Sequence, residues 1–401
     1  MSAVAVAAAA AVAVAGGAGL PAAARAATAG AGAGPAGISS AAAASAAHLL
    51  SAVACPAVKD CVAVGESDPA DEAGTPFATR WNGSAWKSLA APLPAGGVSG
   101  SFGALSCVSA KFCLAIGGYA TATASLPLGE AWNGTSWKAV TVTAPAGNSQ
   151  LLDVACVSAT WCTATGSTDL PAGGVVAFTD HWNGAKWSAA QVAVPKGSSG
   201  VAAGPISCVS ASWCQAGLDA YVTKDLTEVS GTTYADTWNG KTWTAVKLAL
   251  APAADLPEIA SDTCLTKKDC TVTGQSLTAG GWHTIAAADN GTKWTITTLP
   301  GTDVNMSGLA CPSAKSCLAA GSQGADAYGD GGKAYVESWN GGRWKGAKVP
   351  GPAGKNTELV DIACASSGYC VTIGQTRTPD TLGAGFADLW NGKSWKLTPA
   401  F

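Results

Sequence analysis

The sequence predicts an all-β protein, a seven-bladed β-propeller of four-stranded antiparallel blades. Two repeated motifs carry this prediction. The first is Cys-x5-Cys, which occurs seven times and uses all 14 cysteines. The second is W-N-G-x-x-W, which follows six of the cysteine pairs, while the variant DNGTKW follows the remaining pair. Successive units are 47 to 56 residues long, a period that indicates a propeller or a solenoid.

Each unit is expected to form four strands. In the unit that begins at residue 151, LLDVAC and WCTATG are strands one and two, and VSAT is the turn between them. VVAFTDHW is strand three and AKWSAAQVAV is strand four. The Asn-Gly between them predicts a two-residue type I′ turn, which places the two tryptophans diagonally on one face of the sheet. We expect the 14 signature positions, thirteen Trp and Asp289, to pack between neighbouring blades.

The cysteine pairs are predicted to form one disulfide within each blade. Each pair flanks the short hairpin between strands one and two, where facing Cα atoms come within disulfide distance. An even cysteine count and a secretory leader favour this interpretation over metal binding. A metal site would need two pairs brought together or histidines beside a pair, and the chain has only three histidines. The predicted pairs are Cys55–Cys61, Cys107–Cys113, Cys156–Cys162, Cys208–Cys214, Cys264–Cys270, Cys311–Cys317 and Cys364–Cys370.

The first residues have the composition of a targeting segment. An apolar run, AVAVAAAAAVAVA, precedes A-x-A cleavage sites in LPAAARAATAG, which predicts a secretory signal over residues 1–29. No Lys or Arg precedes the apolar run, so an Ala-rich tail is the alternative. Residues 30–47 are interpreted as a flexible Ala/Gly-rich leader and 48–401 as the propeller. No later segment is long and apolar enough to predict a membrane span.

The overall charge is mildly acidic. Cleavage at the predicted site removes Arg25 and leaves 22 basic residues against 26 acidic ones. Without a block of like charges, this balance disfavours a nucleic-acid or anionic-membrane partner. No motif for a cofactor or metal ion is present, and a secreted monomer is expected.

Several propeller groups resemble this repeat. The W-N-G-x-x-W hairpin is similar to the outer hairpin of kelch repeats, although the kelch double glycine is absent. DNGTKW resembles the Asp-box hairpin of sialidase-type propellers, with Lys293 where that motif has Thr. The strand layout also resembles that of photosystem-assembly-factor propellers. The cysteine pairs belong to none of these groups, and overall the chain resembles secreted bacterial seven-bladed propellers with a Cys/Trp repeat. This resemblance implies a fold and no activity.

The variable spacings indicate where a binding site is expected. The Cys–Cys and Trp–Trp gaps are constant, whereas the segments between strands two and three and between blades vary in length. The constant turns share one face of a propeller, so we expect binding around the channel on the other face. Seven residues just after strand two are predicted to line this mouth and bind a polar ligand; the alternative is that they are ordinary solvated loop residues. These residues are Glu66, Tyr119, Asp169, Asp219, Gln275, Gln323 and Arg377. Asp153 and Asp361, on strand one, are expected either to face the channel or, as we prefer, to solvate a wet pore.

Function is predicted only as a class. A secreted, non-catalytic binding or scaffold propeller for a cell-envelope glycan or a surface protein is favoured. The alternative is a carbohydrate-active enzyme, a glycoside hydrolase or lyase, whose carboxylates come from acids such as Asp153, Asp169 and Asp219. A sialidase-type clamp of three arginines is excluded, because Arg80 and Arg343 are predicted to lie away from the channel mouth. The ring is expected to close by packing between blades one and seven, without an exchanged strand.

Overall fold

The computed structural model shows seven separate four-stranded antiparallel sheets, which confirms the predicted fold class. It describes residues 47–401 except 69–73, 146–147, 170–174, 193–195, 197, 199, 225–227, 249–256, 279–280, 302, 325–330, 379–380 and 400. The predicted signal peptide and nearly all of the predicted leader lie outside the described residues. The described part of the chain contains no helix, and so none long and apolar enough to span a membrane.

Each blade is built from four strands that are consecutive in the chain and adjacent in the sheet. Blade 1 contains β1 (Ala47–Ala57), β2 (Asp60–Asp68), β3 (Thr75–Trp81) and β4 (Trp86–Leu89). Blade 2 contains β5 (Ser99–Ser109), β6 (Phe112–Ala120), β7 (Ser125–Trp132) and β8 (Trp137–Ala139). Blade 3 contains β9 (Asn148–Ser158), β10 (Trp161–Asp169), β11 (Val175–Trp182) and β12 (Trp187–Gln191). Blade 4 contains β13 (Gly200–Ser210), β14 (Trp213–Lys224), β15 (Glu228–Trp238) and β16 (Trp243–Lys247).

The last three blades repeat this order. Blade 5 contains β17 (Pro257–Thr266), β18 (Asp269–Thr278), β19 (Gly281–Asp289) and β20 (Trp294–Thr298). Blade 6 contains β21 (Val304–Ser313), β22 (Ser316–Gln323), β23 (Lys333–Trp339) and β24 (Trp344–Lys348). Blade 7 contains β25 (Asn356–Ser366), β26 (Tyr369–Thr378), β27 (Thr381–Trp390) and β28 (Trp395–Leu397). All four strands of blades 1 and 7 come from their own segments, so no strand is exchanged at the closure, as predicted.

The first strands of the blades form the innermost ring. Each of them contacts the first strand of the next blade, from β1 through β25, and β25 in turn contacts β1. This cyclic contact closes the propeller and places strand one of every blade beside the central channel. A core of buried hydrophobic residues fills each of the seven interfaces between consecutive blades, including that between blades 7 and 1.

The signature tryptophans stand directly opposite each other on strands three and four. In six blades the two rings of a pair are 5.5 to 5.8 Å apart. The pairs of blades 1 to 3 are buried against the preceding blade, which confirms the predicted packing there. The pairs of blades 4 and 7 are half-buried. Asp289 is also half-buried, and its carboxylate accepts the Gly291 amide of its own loop at 2.9 Å.

The predicted two-residue type I′ turn is wrong. In blade 3, Trp182 and Trp187 are direct cross-strand partners, and residues 183–186 form a four-residue loop. The Asn183 Oδ1 accepts the backbone amides of Ala185 and Lys186, both at 3.1 Å. Because this side chain closes the turn, Asn183 keeps an ordinary negative φ and only Gly184, at φ 94°, adopts the left-handed conformation. Strand four therefore begins two residues later than predicted, at the second tryptophan.

The seven predicted disulfides are all present. In each pair one cysteine lies on strand one and the other on strand two, with their Cα atoms 4.0 Å apart. No cysteine is free. The connecting turn is shorter than predicted, since Ser158 and Trp161 already pair and leave two residues between them. Each disulfide thus fixes a tight hairpin on the face away from the variable loops.

Removal of one bridge is expected to lower stability modestly. The double variant Cys156→Ala/Cys162→Ala should lose about 2 kcal/mol of unfolding free energy, because the bridge closes a short loop. Guanidinium unfolding measures this loss, and Cys208→Ala/Cys214→Ala in blade 4 is the matched comparison. Thiol titration of the denatured, unreduced protein should find no free thiol; several free thiols per chain would contradict the assigned bridges.

Candidate functional site

The two faces of the propeller differ in construction. The Asn-Gly loop of each blade lies beside the cysteine hairpin of the same blade; Gly83 is next to Lys59 and Gly134 is next to Lys111. In blade 2 the Trp132 Nε1 also donates to the Ala110 carbonyl in that hairpin, at 3.2 Å. We call this surface the turn face. On the opposite face, the first strand of each blade begins and the second strand ends. The central channel opens on this face, and we call the opening the mouth.

The seven predicted site residues lie near the mouth at three different heights along strand two. Glu66, Asp219 and Gln275 occupy the same position, five residues after the second cysteine. The other residues stand one or two positions further along. Because alternate residues of a strand point to opposite sheet faces, the seven cannot form a single ring of side chains. Tyr119 and Gln323 stand one position further along the strand than the first three residues, and Asp169 and Arg377 stand two positions further.

A second set of polar residues at the mouth comes from the innermost strands and was not predicted. Glu258, Asn305 and Glu358 each stand six residues before the first cysteine of blades 5, 6 and 7. The Gln275 Nε2 of blade 5 donates to the Asn305 Oδ1 of blade 6. The Gln375 Nε2 donates to the Glu358 Oε1 at 2.7 Å within blade 7. Carboxylates and amides therefore form an arc over consecutive blades, which we call the mouth arc.

Asp219 and Glu258 form the acidic end of this arc. The Asp219 Oδ1 accepts the Thr233 hydroxyl at 2.8 Å. Burial raises the pKa of Asp219 to about 7, and repulsion from Glu258 adds to this rise, against the hydrogen bonds of Thr233 and the Ile259 amide. Burial also raises the pKa of Glu258. Near neutral pH, Asp219 therefore exists as a mixture of its protonated and ionised forms.

Arg377 ends the mouth arc in blade 7. Its Nε lies 3.5 Å from the Glu358 Oε2, and both side chains are only partly exposed. The other two arginines of the propeller are elsewhere. Arg80 forms a two-point ion pair with Asp60, at 2.7 and 2.9 Å, next to the cysteine hairpin of blade 1. Arg343 lies in an Asn-Gly loop of the turn face. The positions of Arg80 and Arg343 agree with the exclusion of a three-arginine clamp.

Asp153 and Asp361 connect neighbouring blades deeper along the channel. The Asp153 carboxylate accepts its own next amide, Val154, and the Ile206 amide of blade 4, both at 2.8 Å. Asp361 accepts the Ile362 amide and, across the ring closure, the Val53 amide of blade 1 at 2.8 Å. Burial raises the pKa of Asp153 to about 6 and that of Asp361 to about 7. Each acid thus holds the first strand of the following blade, and the expected role of both acids in solvating a wet pore stays a prediction.

A third group of acids lies within the blades, on strand three, two residues before the signature position. The position is acidic in five of the seven repeats, and all five carboxylic residues are fully buried: Glu130, Asp180, Asp236, Glu337 and Asp388. In blade 6, the Glu337 Oε1 accepts the Gly301 amide, at 3.1 Å, from the segment that connects blades 5 and 6. These acids lie far from the channel because strand three is the third strand outward from it. The repeated acid could have been found by aligning the seven units.

The described residues of the turn face and of the mouth arc do not include the ligand set of a metal site. Among the described residues, no group of three or more His, Cys, Asp or Glu could hold a metal ion. The described side chains of the mouth offer hydrogen-bond donors and acceptors, together with the carboxyl pair Asp219 and Glu258, whose pKa values are raised.

Comparisons with known proteins agree on the fold. No protein-family model and no curated protein matches the sequence. Among solved structures, the chain is similar to a polysaccharide lyase of the PL25 ulvan lyase family, with a TM-score of 0.59, 10% identity, and 88% and 97% of the two chains covered. It is also similar to YCF48 bound to a D1 peptide, with a TM-score of 0.49, 14% identity, and 82% and 91% covered.

A third similar structure is the Trypanosoma rangeli sialidase, with a TM-score of 0.46, 8% identity, and 86% and 54% of the two chains covered. At these identities the similarity extends to the propeller fold and not to function.

Proposed function

We propose that the protein is an extracellular binding propeller that holds a glycan at the mouth without chemical conversion. The observation that carries this proposal is the mouth arc. Glu258, Asn305 and Glu358 occupy one position on three consecutive innermost strands, where a ligand at the mouth can reach them. Neighbouring side chains orient Asn305 and Glu358, through Gln275 and Gln375. Fixed amides and carboxylates of this kind bind sugar hydroxyls with defined direction.

The seven disulfides support an extracellular setting, because such bridges persist in oxidising compartments. The pairing of Arg377 with Glu358 also argues for binding of a neutral or hydroxyl-rich ligand at the mouth. An anionic sugar would have to compete with Glu358 for the guanidinium, and would meet repulsion from Glu258 and Asp219.

The proposal is tested by a glycan array, followed by calorimetry with the best glycan. The double variant Asn305→Ala/Glu358→Gln is expected to weaken binding at least about tenfold, the effect of losing roughly 1.4 kcal/mol of hydrogen bonding. Thr295→Ala, an exposed change on the outer strand β20, should leave binding unchanged. Undiminished glycan binding by the double variant would show that the mouth arc is not the binding site. If the protein bound a protein ligand and no glycan, the proposed glycan ligand would be wrong.

One observation favours catalysis as a second candidate. Asp219, with a pKa of about 7, adjoins Glu258, and a protonated acid beside a second carboxylate is the arrangement used for glycoside cleavage. Panels of chromogenic glycosides and uronate polymers test this candidate. Turnover that is abolished by Asp219→Asn, with binding retained, would establish an enzyme. Stable binding without turnover supports the binding propeller.

A further inference from the structure

The turn face gathers basic residues that the sequence scatters over the whole chain. This face consists of seven two-residue cysteine turns and seven four-residue Asn-Gly loops. Within these 14 segments there are ten basic residues and no Asp or Glu. Every blade contributes at least one, and blades 5 and 6 contribute five. The ten are Lys59, Lys111, Lys186, Lys241, Lys267, Lys268, Lys293, Lys315, Arg343 and Lys393.

All ten side chains are exposed to solvent. The acids that flank these segments are already engaged or only partly accessible. Asp60 is paired with Arg80, Asp289 accepts the Gly291 amide, and Asp269 is half-buried. The positive charges are therefore not neutralised by acids within the same segments. Their summed potential extends over one face of a protein whose total charge is negative.

The segments that present these charges are rigid. A disulfide closes each cysteine hairpin, and the asparagine side chain closes the loop next to it, as in the bonds of Asn239 to the Lys241 and Thr242 amides, at 2.9 and 3.0 Å. The basic residues thus stand on a fixed ring of short turns. A ring of separate charges suits a ligand that carries many charges along its length better than a single small anion.

The composition of the turn face selects among such ligands. Nine of the ten basic residues are lysines, which bind as point charges and do not impose the two-point geometry of arginine. Hydroxyl residues stand beside several of them, including Thr242, Thr292 and Ser394. Val58 is the one described large apolar residue in these segments that is markedly exposed, so nothing else there would insert into a lipid layer.

We infer that the turn face binds a linear anionic polysaccharide, by a surface separate from the mouth. Carboxylate or sulfate groups along the polymer pair with the lysines, and its sugar hydroxyls pair with the neighbouring Ser and Thr. The acidic mouth repels the same polymer, so the polymer is held on one face only. This inference does not depend on the ligand of the mouth.

The test measures binding of the protein to immobilised polygalacturonate, a linear polyuronate, at about 50 mM and at about 200 mM salt. Wild-type protein should bind at the lower salt and lose at least about tenfold in affinity at the higher, because the interaction is electrostatic. The variant Lys267→Ser/Lys268→Ser/Lys293→Ser/Arg343→Ser should bind at least about tenfold more weakly than wild type at the lower salt. Asn305→Ala/Glu358→Gln, at the mouth, should bind polygalacturonate like wild type.

The matched control is Lys196→Ser/Lys247→Ser/Lys348→Ser/Lys355→Ser, which removes four exposed lysines outside the turn face and has the same net charge. An equal loss of affinity in this control would show that only net charge matters and would overturn the inference. Binding to phosphatidylglycerol vesicles without binding to polygalacturonate would likewise overturn it in favour of a membrane. Circular dichroism and thiol titration confirm that both variants are folded.

Discussion

Replacing Trp86 with alanine is expected to lower the free energy of unfolding by about 3 to 5 kcal/mol, the usual cost of truncating a buried tryptophan. Trp86 is 8% exposed and lies in the interface between blades 7 and 1. This is the one interface of the ring whose two blades are not consecutive in the chain. A weakened contact here opens the ring, whereas elsewhere the chain still holds the neighbouring blades together.

The contacts of Trp86 are particular to this closure. Its Nε1 donates to the Thr398 Oγ1 at 3.0 Å, and its ring lies 5.0 Å from that of Phe401. In blades 2 and 3, the equivalent Trp137 and Trp187 have no hydrogen-bond partner for Nε1 among the described residues. The segment that follows β28 therefore adds to the closure by contacting a tryptophan of blade 1.

The first tryptophan of blade 1 is also adapted to the closure. In five other blades the corresponding Nε1 donates to the cysteine turn of its own blade. The Trp81 Nε1 donates instead to the Tyr369 hydroxyl of blade 7, at 2.9 Å. Together with the bond from the Val53 amide to Asp361, these contacts replace an exchanged strand as the closing device.

Equilibrium unfolding and hydrogen exchange measure the Trp86→Ala effect. Trp187→Ala is the matched control, because Trp187 is 3% exposed and lies between blades 2 and 3, which are consecutive in the chain. Both variants should lose comparable stability, but Trp86→Ala should accelerate exchange of the Val53 amide more than Trp187→Ala does. If Val53 remained protected while global stability fell, the closure would not depend on Trp86.

The features that sequence predicted correctly are local in the chain. The disulfides join residues six apart, and the four strands of each blade pair in chain order, so spacing and turn chemistry are sufficient. The length of the Asn-Gly loop was mispredicted for an equally local reason. The Asn183 side chain closes a wider turn by accepting two backbone amides, and this competes with the type I′ geometry that Asn-Gly otherwise favours.

The features that were missed depend on register or on the assembled ring. In every blade a register shift interrupts the ladder between strands one and two a few residues before the first cysteine; in blade 7 this shift lies between Leu359 and Asp361. Position counting along one strand cannot show that Gln275 meets Asn305 of the next blade. The basic turn face could not be predicted from the net charge of the chain. Its basic residues are far apart in the sequence, and only the hairpins of the folded blades bring them to one face.

A strongly pH-dependent stability is expected from Glu130, the buried acid on strand three of blade 2. Its side chain is 0% exposed, and neither carboxylate oxygen has a hydrogen-bond partner among the described residues. Burial raises its pKa from 4.5 to about 8. Because the folded state binds this proton more tightly than the unfolded state, its contribution to stability is full below about pH 4.5 and is lost as the pH rises through 8.

The variant Glu130→Gln isolates this effect from the other titrating groups. At 1.36 kcal/mol per pKa unit, the wild type should lose up to about 5 kcal/mol relative to the variant between pH 4.5 and 9. At low pH the variant is expected to be slightly less stable or equal, since a buried amide replaces a neutral carboxyl group. At pH 9 it should be the more stable protein, because no charge is buried.

Guanidinium unfolding at pH 5, 7 and 9 gives the difference between Glu130→Gln and wild type directly. Thr79→Val is the matched control, because Thr79 occupies the same position in blade 1, is 0% exposed and does not titrate. The difference for Thr79→Val should be constant across this range, while that for Glu130→Gln should grow steadily with pH. A constant difference for Glu130→Gln as well would show that this carboxyl group is not protonated in the folded protein, and that blade 2 tolerates a buried charge without a partner.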